Sequence, residues 1–91
     1  MEKKANDTSD LSLFHFESCR FCLKVRSVLR KLDLDIDLKD AELPENRDVL
    51  LAGGGKVQVP CLLIQAGASQ QWMYESSDII DYLEKRYQRF K

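Results

Sequence analysis

Leu11-Ser12-Leu13-Phe14-His15-Phe16-Glu17-Ser18-Cys19-Arg20-Phe21-Cys22 governs how the rest of this chain is read. The first half is short, aromatic and partly alternating, which is the pattern of a β-strand. Glu17-Ser18 closes the strand, and Ser18 or Cys19 suits the cap of a following helix. Apolar residues then fall at Phe21, Val25, Val28, Leu29 and Leu32, the stripe of an amphipathic helix. Arg20, Lys24, Arg26, Arg30 and Lys31 occupy the other face, the last two near the negative end of the helix dipole. A C-x-x-C pair therefore sits where a strand hands over to a helix.

That placement carries chemistry. Unpaired N–H groups and the dipole at a helix start favour negative charge, and the thiolate is the reactive form of cysteine. Cys19 is thus the expected nucleophile, with Arg20 beside it as a permanent cation. Cys22 lies one turn on, within reach of a mixed disulfide formed on Cys19. The competing reading is a structural zinc site, which needs four ligands. Only Cys61 and His15 remain to complete one, without a second paired motif, so no metal is expected. Cys61 reads as a small core residue and His15 as a sheet residue rather than a base.

Moving outward, Asp33-Leu34-Asp35-Ile36-Asp37-Leu38 alternates strictly and predicts an edge strand with one acidic face. Pro44 suits a first helical position; the helix continues from Glu45 to Ala52 and stops at Gly53-Gly54-Gly55. Val57 to Gln65 is a strand region containing Pro60, which must occupy an edge, a strand start or a special turn. Ala66-Gly67-Ala68-Ser69 turns the chain into a partner strand, Gln71 to Tyr74. Ser76 or Ser77 then caps a last helix with a stripe of Ile79, Ile80, Leu83, Tyr87 and Phe90. Asp81 pairs with Lys85, and Lys85, Arg86, Arg89 and Lys91 gather at the helix end. The order β-α-β-α-β-β-α predicts an α/β fold with a mixed four-stranded sheet packed with helices.

The 91 residues make one small domain, expected over 11–91, with 1–10 as a disordered polar tail. Apolar residues at 44% and charged residues at 32% are ordinary for a globular chain. Fourteen basic against fifteen acidic side chains leave a net charge of −1, no basis for binding nucleic acid or an anionic membrane. No apolar run is long enough to span a bilayer, and MEKKANDTSD lacks the apolar core of a secretory signal. Three cysteines, an odd number, argue against a disulfide-stapled secreted scaffold, so a cytoplasmic chain is expected.

Three separated motifs, Cys19-Arg20-Phe21-Cys22, Val59-Pro60 and Glu75-Ser76, together resemble those of a glutaredoxin. They equally resemble the N-terminal thioredoxin-fold domain of glutathione S-transferases, over roughly Leu11 to Tyr87. The resemblance implies a thioredoxin-like fold and a glutathione-dependent thiol–disulfide oxidoreductase. Cys19 would be its attacking cysteine and Cys22 its resolving one. It implies a cis bond at Val59-Pro60, with the Val59 backbone pairing to glutathione as an added strand. Glu75 and Ser76, at the start of the last helix, would hold the γ-glutamyl end. Two departures stand out. Arg20 and Phe21 replace the common Pro and Tyr between the cysteines, and Phe16 stands where a lysine is frequent. Arg20 would supply the missing charge, Phe21 would join it in the glutathione site, and Lys56 or Arg47 would meet the glycyl carboxylate.

On this reading glutathione is a co-substrate and no tightly bound cofactor is expected. The partners are disulfide-containing or glutathionylated proteins, met by a monomer. Two alternatives differ in class: a carrier of a glutathione-ligated [2Fe–2S] cluster, and a transferase-like module that binds glutathione without redox turnover.

Overall fold

A computed structural model describes residues 8–87. The elements run β1 (Leu11–His15), α1 (Arg20–Lys31), β2 (Asp37–Asp40), α2 (Pro44–Gly54), β3 (Cys61–Ala66), β4 (Ser69–Met73) and α3 (Ser76–Tyr87). The sheet order is β2-β1-β3-β4; β2 lies parallel to β1, and β3 and β4 are antiparallel to their neighbours. This is the thioredoxin-like arrangement expected from the sequence. Parallel β1 and β2 require a crossover, which α1 supplies.

Strand alternation divides the interior into two cores. Leu11 and Leu13 of β1, with Leu62 and Ile64 of β3, meet Val25 and Leu29 of α1 and Ile79, Leu83 and Tyr87 of α3. Phe14, Cys61 and Leu63 point the other way and meet Leu50 of α2 and Ala41. The sheet is thus covered on both faces, by α1 and α3 on one and α2 on the other. The hairpin between β3 and β4 closes through Gly67-Ala68, with Gly67 at φ +62° where glycine avoids steric cost.

Four local expectations are corrected. The alternating stretch from Asp33 is not a strand until Asp37. Asp33 instead takes a left-handed conformation (φ +58°) just after α1. Its N–H bonds the Arg30 carbonyl at 3.1 Å, while Leu34 N–H bonds the Leu29 carbonyl at 2.8 Å. This is a Schellman termination, and Leu34 and Leu29 are buried in the same core. Leu34 and Ile36 are still buried, so the alternation recorded burial without ladder pairing.

The apolar stripe of α1 keeps Val25 and Leu29 but begins at Cys22 instead of Phe21. Cys22, Val25 and Leu29 are its buried members, and Phe21 is 52% exposed. Thr8 to Asp10, assigned to the polar tail, are tied to the body. Thr8 Oγ1 donates to the Asp35 carbonyl at 2.7 Å, and Asp10 accepts two bonds from Arg86 at 3.0 and 3.1 Å. Arg86 also donates to the Tyr82 hydroxyl at 2.6 Å. Phe90, Arg89 and Lys91 lie outside the described residues.

Of the three glycines expected to stop α2, only Gly55 does so, at φ +93° with its N–H on the Leu51 carbonyl at 2.9 Å. Gly53 and Gly54 lie inside the helix. A Cβ on Gly53 would run into the Trp72 indole, and one on Gly54 into the Tyr74 ring. Their absent side chains let α2 approach the last strand closely. Gly53→Ala gains about 1 kcal/mol of helix propensity but forces the indole aside, at about 1–3 kcal/mol. We expect a net loss, read as a lower Tm in thermal melts followed by circular dichroism.

Candidate functional site

Sheet register brings three segments to one end of the molecule. Phe14 stands opposite Cys61, so β1 leaves the sheet toward Cys19 where β3 enters it after Pro60. Met73 stands opposite Leu62, so β4 ends there too and delivers Tyr74, Glu75 and Ser76. The motifs from all three parts of the sequence are thereby assembled.

Cys19 is the cap of α1. Its backbone is extended (φ −79°, ψ 124°) and its Sγ accepts the Cys22 N–H at 3.4 Å. Its sulfur is only partly covered, whereas Cys22 is fully buried. Burial on its own would push the Cys19 thiol up. Hydrogen bonds from the Cys22 N–H, the Cys22 thiol and the Phe21 N–H, with the charge of Arg26, outweigh burial and bring it below its ordinary value. For Cys22 burial dominates; the hydrogen bond to Cys19 and the charge there add to it, and its thiol is pushed up to about 11. Cys61, buried on the α2 side of the sheet, is pushed up by burial to about 12.

The cation acting on Cys19 is Arg26, whereas Arg20, the neighbour in sequence, is exposed. The sequence reading placed Arg26 on the solvent face. It lies one turn beyond Cys22, at i+4, and that spacing was the available signal. Its guanidinium turns back to the β1–α1 connection, with Nη1 3.0 Å from His15 Nδ1 and 3.3 Å from the Phe16 carbonyl. Nη2 donates to the Glu17 carbonyl at 3.2 Å.

The Val59-Pro60 bond is cis. Pro60 is buried and Val59 half-buried, against the core on the α2 side. Among the described residues, no backbone hydrogen bond of a loop or turn uses the Val59 N–H or carbonyl. Lys56 precedes them, its Nζ 4.7 Å from the centre of the Tyr74 ring. Tyr74 was not singled out in the sequence. Its hydroxyl donates to the Lys56 carbonyl at 2.9 Å, tying the loop that carries Val59 to the residue before Glu75. Burial and the neighbouring Cys61 thiol push the Tyr74 hydroxyl up, which keeps it a donor.

The last helix starts differently from expectation. The Glu75 carbonyl accepts its first bond, from Ile79 N–H at 2.9 Å. Glu75 therefore occupies the cap, and Ser76 and Ser77 lie in the first turn, where backbone N–H groups lack helical acceptors. Arg20 and Phe21 occupy the first turn of α1, both exposed beside Cys19. Among the described residues, no three His, Cys, Asp or Glu side chains stand together as a metal site. No described helix is long and apolar enough to cross a membrane.

These environments order the thiols. Iodoacetamide near pH 7 should modify Cys19 and spare Cys22 and Cys61 in the folded chain, as peptide mass spectrometry would read. Because the Cys19 thiol is lowered, its rate should reach half-maximum at a lower pH than that of a cysteine in a short peptide.

Comparison with known proteins agrees with this fold. No curated protein sequence matches the chain. Among solved structures, a trimeric glutathione transferase from Leishmania is 26% identical, with a TM-score of 0.69 over 86% of this chain and 18% of its own. A maleylacetoacetate isomerase from Anaeromyxobacter dehalogenans, with dicarboxyethyl glutathione and citrate bound, is 22% identical. Its TM-score is 0.66 over 85% of this chain and 36% of its own. A wheat glutaredoxin is 18% identical, with a TM-score of 0.61 over 86% of this chain and 73% of its own. The latter two share the fold. The chain spans about a third of the length of the isomerase structures it matches. Residues 13–89 match the family described as glutathione S-transferase, N-terminal domain. With most of its length and all three motif segments inside that match, the chain belongs to the glutathione S-transferase N-terminal domain family.

Proposed function

We propose that this domain binds glutathione and catalyses glutathione-dependent thiol–disulfide exchange, with Cys19 as the nucleophile. The observation that carries the reading is the half-exposed Cys19 sulfur at the cap of α1, accepting a backbone N–H with a buried thiol behind it. The Cys19 thiolate attacks the glutathione sulfur of a mixed disulfide, and the protein thiolate leaves and takes a proton. A second glutathione thiolate then attacks the Cys19–glutathione disulfide, releasing oxidised glutathione and restoring Cys19. For intramolecular disulfides, the Cys19 thiolate attacks one sulfur and the other leaves as a thiol. Cys22 then displaces the substrate dithiol to form a Cys19–Cys22 disulfide, which two glutathiones reduce, leaving as oxidised glutathione.

The glutathione site we assign follows from the same end of the sheet. The unbonded Val59 N–H and carbonyl suit the extended peptide, as strand addition. The first turn of α3 and the Ser76 hydroxyl suit the γ-glutamyl carboxylate, and Glu75 its ammonium. Lys56 suits the glycyl carboxylate, with Arg20 and Phe21 at the rim near Cys19. Chemical-shift mapping with glutathione should move the amides of Cys19, Val59, Glu75, Ser76 and Ser77 together. Shifts confined to β2 would remove this site.

The buried Cys22 thiol stays protonated at neutral pH, so external glutathione should clear the mixed disulfide faster than Cys22 does. The test is turnover of the mixed disulfide of hydroxyethanethiol and glutathione, coupled to glutathione reductase. Cys19→Ser should abolish it, and Cys22→Ser should keep most of it while losing activity on intramolecular protein disulfides. Equal loss in both variants would replace the glutathione route by a dithiol one. The family match favours a second reading, a module that binds glutathione without turnover. Shift changes at the site together with no turnover in the coupled assay select that reading.

A further inference from the structure

We propose that Arg26 is a positioning residue for Cys19: it locks the turn between β1 and α1 whose backbone holds the sulfur in place. The inference rests on Cys19 being the nucleophile and goes beyond it. Arg26 contacts three consecutive residues running from the end of β1 into the turn: the His15 ring at 3.0 Å, the Phe16 carbonyl at 3.3 Å and the Glu17 carbonyl at 3.2 Å. The Phe16 carbonyl also accepts the Cys19 N–H at 3.2 Å. One oxygen therefore joins the guanidinium to the backbone of the nucleophile. A guanidinium only donates, so the His15 ring must accept at Nδ1 and carry its proton on Nε2. That requires a neutral ring, and burial with the charge of Arg26 holds His15 below its ordinary value.

The surroundings make this a built arrangement rather than a chance contact. His15 is 6% exposed at the end of β1, and Arg26 closes over it from α1. The charged groups facing the pair are Glu17 from the turn, Asp40 from β2, and Arg30 one turn along α1. Asp33 and Asp35 complete the rim of an open cleft of about 490 Å³ behind the turn. A planar fork matters here because a lysine ammonium is a single point that cannot span the ring and two carbonyls at once.

The test is the pH profile of Cys19 alkylation by iodoacetamide in the full chain, for wild type, Arg26→Gln, Arg26→Lys and Arg30→Gln. Arg26→Gln should raise the midpoint by about one pH unit. A more basic thiolate is also more nucleophilic, so the rate at pH 7 should fall only about threefold. Arg26→Lys should give an intermediate midpoint, and Arg30→Gln, which alters the same cleft but not the turn, the wild-type one. A folded Arg26→Gln with the wild-type midpoint overturns the proposal, as does an equal shift in Arg30→Gln. If Arg26→Gln does not fold by circular dichroism, Arg26→Lys decides, and a wild-type midpoint there overturns the proposal. Alkylation needs no glutathione. A chain that lacks turnover but shows the shifted midpoint fails the proposed function and retains the role of Arg26.

Discussion

With Phe14 opposite Cys61 and Leu62 opposite Met73, the chain leaves β1, enters β3 and leaves β4 at a single edge of the sheet. A slip of one residue in either ladder would turn Phe14, Leu62 or Leu63 out of its core, so burial on both faces holds the register. Everything at the site inherits its position from this pairing. Cys19, Val59 and Glu75 are far apart in sequence, and none needs a contact of its own to be brought near the others. The chemistry is therefore carried by rigid elements at their ends, which leaves short segments free to vary.

The two cysteines of the motif show how one turn of helix separates roles. At the cap, a sulfur meets N–H donors and a cation and is only partly shielded from water. Three residues later a sulfur faces the core, and desolvation is the dominant influence. A shared hydrogen bond then sharpens the difference, because the proton held by Cys22 stabilises negative charge on Cys19. The asymmetry follows from helix geometry, which leaves the cap sulfur half-exposed and turns the first-turn sulfur into the core.

The sequence was most legible where pattern and structure share a cause. Alternation in Leu11 to His15, the thiol at a helix start and the glycine turn at Gly67 all follow from local chemistry. Legibility failed where a residue answered a distant partner. Gly53 and Gly54 read as a helix stop, yet Trp72 and Tyr74 explain them, and neither ring is a sequence neighbour. Asp33 ends α1 in a conformation usually given to glycine, so the alternating stretch joins no ladder before Asp37. Arg26 looked like a solvent cation because its stem leaves the helix on a polar face before the guanidinium folds back. Tyr74 was passed over because its value lies in joining two loops, which no local pattern records.

The pair between Asp10 and Arg86 joins residues 76 positions apart, on side chains about a third exposed. Such a pair contributes little energy of its own. Closing a loop of that length in an unordered chain costs entropy that only an assembled sheet can offset. The contact spans elements that β1, β3 and α3 bring together in the folded chain. The pair therefore marks where the start of β1 and the end of α3 lie side by side, and adds little to holding either there.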